Sequence, residues 1–182
     1  MLTSYANKTV PKDHVATVFD NYSAQITVNG KLVNLNLADT AGQEDFESLR
    51  TLCYPGTNIY LCVFAVNDRQ SFNNIESKWF PELQSKDKVK SSFGVPIIIC
   101  GNKIDIRSKG EEIQNCVSTE EGEGLLRRMK SLYSNNTSNI HYMECSAMTW
   151  DGLKEIFDQA IKCHMSALHK KAKGKTQKCN IL

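Results

Sequence analysis

The residues most able to do chemistry begin with a polar string, Asp39-Thr40-Ala41-Gly42-Gln43-Glu44. The string directly follows an alternating apolar stretch that predicts a strand. An aspartate at a strand end can hold Mg²⁺ through water, and a following glycine lets its backbone N–H approach a phosphate. The Gln43 amide can orient an attacking water. A lone aspartate would more simply start a polar turn, but the whole string favours phosphate chemistry.

A second string, Asn102-Lys103-Ile104-Asp105, follows another apolar run. The Asp105 carboxylate can accept two hydrogen bonds from the N1–H and N2–H₂ edge of guanine, a pair that adenine does not offer. Asn102 would brace neighbouring loops, and the stem of Lys103 would lie over the base. Ligands of open α/β sheets bind at the carboxyl ends of strands, so this string predicts a guanine site.

A third string, Glu144-Cys145-Ser146-Ala147, ends the last predicted strand. Its backbone N–H groups can face the O6 atom of a purine. Alone, the string is a weak signal, because a turn of small residues explains it equally well.

The elements that must position these strings are predicted by their hydrophobic patterns. Polar and apolar residues alternate over 22–28 and 33–37 around Asn29-Gly30, which is the strongest short signal for a hairpin. The continuous apolar runs 59–66 and 97–100 are typical of parallel strands covered on both faces. A helix is expected near Ser71, and Ser118 with Glu121 predicts a capping box for another. Together these elements predict an α/β sheet with an antiparallel edge.

The order of these motifs resembles the Ras superfamily of small GTPases, over essentially the whole chain. The resemblance rests on Thr17, Asp39-Thr40-Ala41-Gly42-Gln43, Asn102-Lys103-x-Asp105, Ser146-Ala147 and a C-terminal Cys-a-a-X sequence. Val18-Phe19-Asp20-Asn21-Tyr22 is similar to the effector-facing switch I of the Rho/Rac branch. Further similarity to that branch lies in Leu49-Arg50, Tyr54-Pro55, Ser71-Phe72 and Lys78-Trp79-x-Pro81-Glu82.

The resemblance implies a P-loop NTPase-type fold over residues 1–168, with a mixed sheet flanked by helices. It implies a switch that binds GTP and GDP with Mg²⁺ and hydrolyses GTP. Thr17 and Asp39 would hold Mg²⁺, Gly42 would sense the γ-phosphate, and Gln43 would orient the hydrolytic water as the catalytic residue. The implied nucleotide contacts are Thr17, Asp39, Thr40, Ala41, Gly42, Gln43, Asn102, Lys103, Asp105, Ser146 and Ala147.

The phosphate loop of that fold is absent from the sequence. Its pattern, G-x-x-x-x-G-K-[ST], needs two glycines five positions apart, and none of the ten glycines are so spaced. We therefore expect a truncated record or a downstream start, with the family's first strand and phosphate loop missing. The lost lysine and loop amides carry most phosphate binding, so we expect weak nucleotide affinity, low stability and no hydrolysis.

The charge of the chain is divided unevenly. Residues 169–182 hold five of the 22 basic residues and none of the 20 acidic ones, which leaves the body at a formal −3. This argues against general nucleic-acid binding and predicts a disordered basic tail with its own partner. Cys179-Asn180-Ile181-Leu182 fits Cys-a-a-X, and its terminal leucine favours geranylgeranylation of Cys179. Lipid and lysines together predict an anchor at the cytoplasmic face of membranes, the plasma membrane included, with a cytosolic pool.

Partners and function class follow from the same features. The seven cysteines are odd in number and unpatterned, which favours reduced, buried thiols over a zinc site. The resemblance implies exchange factors, GTPase-activating proteins, Rho-type effectors and a GDI-like prenyl-binding escort. Two hypotheses stay open: a Rho-like GTPase switch that is complete only with the missing start, and a nucleotide-free module that binds Rho effectors or escorts.

Overall fold

The computed structural model describes residues 1–10, 19–28, 30–86, 95–108, 115–132, 139–169 and 178–181. Its strands are β1 (Phe19–Val28), β2 (Lys31–Thr40), β3 (Tyr60–Ala65), β4 (Ile97–Asn102), β5 (Ile140–Glu144) and β6 (Lys178–Ile181). Its α-helices are α1 (Leu2–Asn7), α2 (Glu47–Leu52), α3 (Arg69–Asn74), α4 (Phe80–Lys86), α5 (Thr119–Leu132) and α6 (Leu153–His169). A π-helical turn, Ile75–Trp79, joins α3 to α4, and 3₁₀ turns span Glu44–Phe46 and Ile104–Ser108.

The strands form two three-stranded sheets, ordered β1-β2-β6 and β3-β4-β5. Within the described residues, a single parallel bridge between Ile59 and Ile181 connects them. The β1–β2 pair is antiparallel, whereas β2–β6, β3–β4 and β4–β5 are parallel. The carboxyl ends of β2, β3, β4 and β5 therefore share one edge, and the expected mixed α/β fold is confirmed.

The predicted hairpin is confirmed, and the structure defines its register. Val28 pairs with Lys31, and the pairing continues without a break to Phe19 opposite Thr40. Gly30 has a φ of 74°, which an L side chain rarely adopts, so glycine suits the turn. Residues 22, 24, 26 and 28 are half-buried and the residues between them are exposed, as their alternation predicts.

The structure differs from expectation in the basic tail. Instead of disorder throughout 169–182, Lys178–Ile181 pairs in parallel with residues 34–37 of β2. Ile181 is buried beside Leu37 and Ile59 in the core. A lysine-rich composition predicts disorder locally, but it carries no information about a distant sheet edge that can take a strand.

Two hydrophobic cores cover the two faces of the β3-β4-β5 sheet. On one face α6 buries Leu153, Ile156, Phe157 and Ile161 completely, at 3.6-residue spacing. Tyr5 of α1 stacks on Phe157 on this face. The other core packs α3, the π-helical turn, α4 and α5 against β3 and β4. Cover on both faces explains the continuous apolar runs.

Two helix N-termini can be compared with the positions that the sequence predicts. The predicted capping box is confirmed, because Ser118 N–H donates to Glu121 Oε2 at 2.8 Å and Glu121 N–H donates to Ser118 Oγ at 3.2 Å. The helix expected near Ser71 begins two residues earlier. The Asp68 carboxylate caps it by accepting from the N–H groups of Gln70 and Ser71.

We predict opposite effects of alanine at two glycines of α5. A Cβ at Gly122 would lie 2.1 Å from the Tyr142 side chain, whereas a Cβ at Gly124 would meet arginine tips no closer than 3.7 Å. Gly122→Ala forces repacking at about 1–3 kcal/mol, against roughly 1 kcal/mol of helix propensity, and destabilises. Gly124→Ala, the matched control, gains the propensity alone. Urea unfolding measures both, and equal stabilisation would contradict the Gly122–Tyr142 contact.

Candidate functional site

Direct hydrogen bonds join the second and third strings. Ser146 Oγ donates to Asp105 Oδ1 at 2.6 Å, and Ala147 N–H donates to Asn102 Oδ1 at 3.1 Å. Asn102 Oδ1 also accepts from the N–H of Lys103 at 2.8 Å. The bracing role expected for Asn102 is thus visible, because one amide oxygen holds two loops together.

Backbone geometry fixes the same loops. Lys103 has a φ of 67°, a left-handed conformation that turns the chain sharply after β4. Ile104 N–H then donates to the Cys145 carbonyl, and Cys145 N–H donates to the Gly101 carbonyl. The turn therefore stays in register with the end of β5, which keeps Asp105 beside Ser146.

A partly buried ion pair lies behind these loops. Arg107 donates to both carboxylate oxygens of Glu144, at 2.7 and 2.8 Å, and also to the Val117 carbonyl. Burial opposes ionisation of Glu144, but hydrogen bonds from Arg107, Tyr142 and Thr119 outweigh it and hold the pKa of Glu144 below its usual value. The 3₁₀ turn that carries Asp105 is thereby tied to β5 and to the start of α5.

A buried arginine holds the first string. Arg50 is only 4% exposed, and its guanidinium donates to the carbonyls of Ala41, at 2.6 Å, and Gln43, at 3.1 Å. The same guanidinium forms a two-pronged ion pair with Glu82, at 2.8 and 2.9 Å. Helix α4 thus fixes the loop after β2 through Arg50.

Electrostatics keep this cluster charged. Burial opposes ionisation of Glu82, but hydrogen bonds from Arg50 and Tyr54 hold its pKa below the ordinary value. The pKa of Tyr54 is raised, first by burial and then by its bond to Glu82. A charged Arg50–Glu82 pair with a neutral Tyr54 is the consistent protonation state, and it satisfies the buried carboxylate.

Gly42 lies against the π-helical turn. Lys78 Nζ donates to the Gly42 carbonyl at 3.3 Å, and a Cβ on Gly42 would meet the Trp79 ring at 3.6 Å. The Arg50 guanidinium lies 5.0 Å from the centre of the same ring, and Lys78 Nζ lies 4.8 Å from it. The Gln43 side chain is exposed next to this packed cluster.

A cavity of ≈ 380 Å³ joins the first two strings. Asp39, Thr40 and Gly42 line it from the β2 side, and Asn102 lines it from the β4 side. Its volume falls in the range of small-molecule sites. Asp39 offers the carboxylate oxygens that Mg²⁺ prefers, so the residues present fit a cation beside a loop whose amides can meet phosphate.

Some predicted site residues either lie outside the described residues or are not part of the cluster described above. Thr17 and Val18 lie outside the described residues. Phe19, Asp20 and Asn21 are exposed on β1, and Tyr22 is half-buried with its hydroxyl 3.1 Å from Thr3 Oγ1. Cys179 belongs to β6 by its backbone pairing with Leu35.

A comparison with protein families gives the decisive match. A model described as the Ras family matches residues 1–166 of the 182. The chain belongs to the Ras family. It is therefore a small GTPase-type molecular switch, of a family that binds GTP or GDP with Mg²⁺ and works with exchange factors, GTPase-activating proteins and effectors.

Sequence reasoning missed the positioning residues of this Ras-family site. The sequence marks Arg50, Lys78, Trp79 and Glu82 only by their similarity to the Rho/Rac branch, and it does not mark Arg107. Charged side chains are usually exposed, so nothing local distinguishes a buried arginine.

Two kinds of feature are absent from the described residues. No helix in those residues combines the length and apolar character that crossing a membrane requires. In the same part of the chain, no group of three or more His, Cys, Asp or Glu side chains is placed to hold a metal ion.

We predict that Arg50→Met destabilises the protein by about 3–5 kcal/mol, because it leaves the Glu82 carboxylate buried without its partner. Arg128→Met is the matched control. It breaks an ion pair with Glu76 whose side chains are 51% and 37% exposed, and such pairs contribute about 1 kcal/mol or less. Urea unfolding compares the two variants. Equally small losses would contradict the holding role of Arg50.

Proposed function

We propose that this Ras-family chain is a Rho/Rac-type switch that reads guanine nucleotides at the ends of β4 and β5. The observation that carries the proposal is the pair of bonds Ser146 Oγ to Asp105 and Ala147 N–H to Asn102. These bonds hold a carboxylate and two loops in place before any base arrives. Preorganised polar groups lose little entropy on binding, which favours selective recognition.

Recognition of the base depends on the Asp105 carboxylate. Guanine offers two adjacent N–H donors to it, whereas adenine offers no such pair. The Ser146 bond orients the carboxylate, and the stem of the exposed Lys103 can cover the face of the base. Ala147 is held next to Asn102, because its N–H donates to Asn102 Oδ1. That N–H would have to leave Asn102 to reach the O6 atom of the base.

The phosphate end would use the first string. Asp39 and Thr17 would hold Mg²⁺, which neutralises phosphate charge when bound, and Gly42 would approach the last phosphate through its backbone N–H. Arg50 fixes the Gln43 carbonyl while the Gln43 amide stays exposed, free to orient water. The sequence contains no phosphate-loop pattern, so we propose that residues 1–182 bind nucleotide weakly and hydrolyse it little.

Two observations support the Rho/Rac assignment. The segments Leu49-Arg50, Tyr54-Pro55 and Lys78-Trp79-x-Pro81-Glu82, similar to that branch, contribute side chains to one cluster around Arg50. The exposed residues 19–21 lie on β1, the outer strand of its sheet. We propose the segment Val18–Tyr22 as the effector contact of this switch.

We predict that the purified chain prefers GDP to ADP and that Asp105→Asn removes the preference. Two hydrogen bonds to a charged acceptor, at about 1.5–3 kcal/mol each, correspond to roughly 100-fold or more in affinity. Competition against a fluorescent GDP analogue in Mg²⁺ buffer, up to millimolar nucleotide, measures it. Asp45→Asn is the matched control, because Asp45 is exposed in the Glu44–Phe46 turn.

A folded wild-type chain without preference for GDP would overturn the base-reading proposal. That result would favour the second candidate, a nucleotide-free module that binds Rho-type effectors or prenyl-binding escorts. The missing phosphate-loop pattern is the specific observation in its favour, together with the exposed Phe19–Asn21 segment.

We propose geranylgeranylation of Cys179 and attachment to membranes with help from the lysine-rich tail. Lys178–Ile181 pairs with β2, so a lipid-transferring enzyme can act only on tails that have left the sheet. Intact mass and membrane fractionation of the expressed chain test this. We predict a prenyl mass increment and a membrane-bound fraction, both lost in Cys179→Ser and kept in the control Cys163→Ser. Unchanged fractionation of Cys179→Ser would refute the anchor.

A further inference from the structure

Three sulfur atoms, from Met1, Cys100 and Cys145, meet in the core next to the ends of β4 and β5. The Sγ atoms of Cys100 and Cys145 are 3.7 Å apart, and each lies 3.9 Å from Sδ of Met1. Both cysteines are fully buried, and Met1 is half-buried. The three sulfurs form a nearly equilateral triangle, which we call the sulfur triangle.

The fold explains why these residues meet. Cys100 lies in β4 and Cys145 directly follows β5, the neighbouring parallel strand. Both side chains belong to the core on the α6 face, and Met1 packs against that core where α1 begins. Three distant parts of the chain therefore meet at one point. The pairing of β4 with β5 positions the two cysteines, and α1 positions Met1.

The size of the triangle matches a metal coordination set. A metal–sulfur bond is about 2.3 Å long, so three sulfurs around one metal stand about 3.8–4.0 Å apart in tetrahedral or trigonal geometry. The observed edges of 3.7 and 3.9 Å require almost no movement. We propose that the sulfur triangle of Met1, Cys100 and Cys145 binds one monovalent copper ion.

The ligand set decides the choice of metal. Thiolate and thioether are soft ligands that select Cu(I), whereas structural zinc takes four ligands from Cys, His and carboxylates. In the described residues no group of three such side chains is placed for a metal, so a zinc site lacks its donors. On binding, two thiol protons pass to solvent and two thiolate–copper bonds form. Copper stays at +1, and no oxidant is needed.

The sulfur triangle borders the cavity on one side. Met1 lines the cavity of ≈ 380 Å³, whereas Cys100 and Cys145 do not. Asn102 Oδ1 lies 3.5 Å from Cys145 Sγ, which places a polar neighbour next to the sulfurs. None of the three ligands is among the proposed base contacts, although Cys145 Sγ neighbours the Asn102 oxygen that holds the two loops together.

The proposal is tested by anaerobic titration of the reduced full chain with Cu(I) in the presence of a chromogenic chelator, which competes for the metal and reports how much the protein binds. We expect one copper per chain. Cys100→Ser and Cys145→Ser should weaken binding by about 100-fold or more, because loss of an outer partner alone costs about 10–100-fold. Cys62→Ser is the matched control, since Cys62 is buried and lines the same cavity without joining the triangle. Circular dichroism establishes that each variant is folded.

X-ray absorption of the copper-loaded wild-type chain keeps the test decisive if a variant fails to fold. We expect three sulfur neighbours, one of which becomes selenium when the chain is produced with selenomethionine. Two-coordinate copper, nitrogen or oxygen ligands, or no copper–selenium contact would overturn the proposal. So would copper binding that is unchanged in folded Cys100→Ser and Cys145→Ser.

Discussion

The positions of the site loops depend on the line along β6 where the two sheets meet, which we call the seam. They also depend on the strands on both sides of this seam being parallel. Two three-stranded sheets meet along β6, and the described residues connect them by one bridge from Ile181 to Ile59. Backbone groups buried at such a place must find partners, and Ile181 adds apolar burial beside them. Because the strands on both sides of the seam run the same way, the loops after β2, β4 and β5 emerge at a common edge.

The alignment of the strands does not by itself fix those loops. Ion pairs of two arginines hold them in place. Arg50 reaches the carbonyls after β2 from one side, and Arg107 ties the turn after β4 to β5 from the other. Each arginine has a carboxylate partner whose pKa is held low. These clusters cost desolvation energy and add little net stability, but they hold exposed polar residues in fixed positions.

Patterns within single elements predicted much of this architecture. The alternation around Gly30, the apolar runs, the Ser118–Glu121 box and the strings after β2 and β4 each depend on neighbouring residues, so the sequence carries them locally. The docking of Lys178–Ile181 and the burial of Arg50 depend on partners far along the chain. Composition predicted disorder for the lysine-rich tail, and arginine is mostly exposed in proteins, so only tertiary packing explains the docked strand and the buried side chain.

The short β6 strand has a thermodynamic consequence. Its four residues cannot pair with β2 and lie extended in a partner's groove at the same time, so the two states exclude each other. A partner that binds the β6 residues must therefore compete with their pairing to β2. A molecule that takes the place of β6 beside β2 must make these residues easier to bind. This coupling is reciprocal by necessity. A change that weakens the packing of Ile181 against Leu37 and Ile59 makes binding of the β6 residues by a partner more favourable, and the free-energy change is the same in both directions.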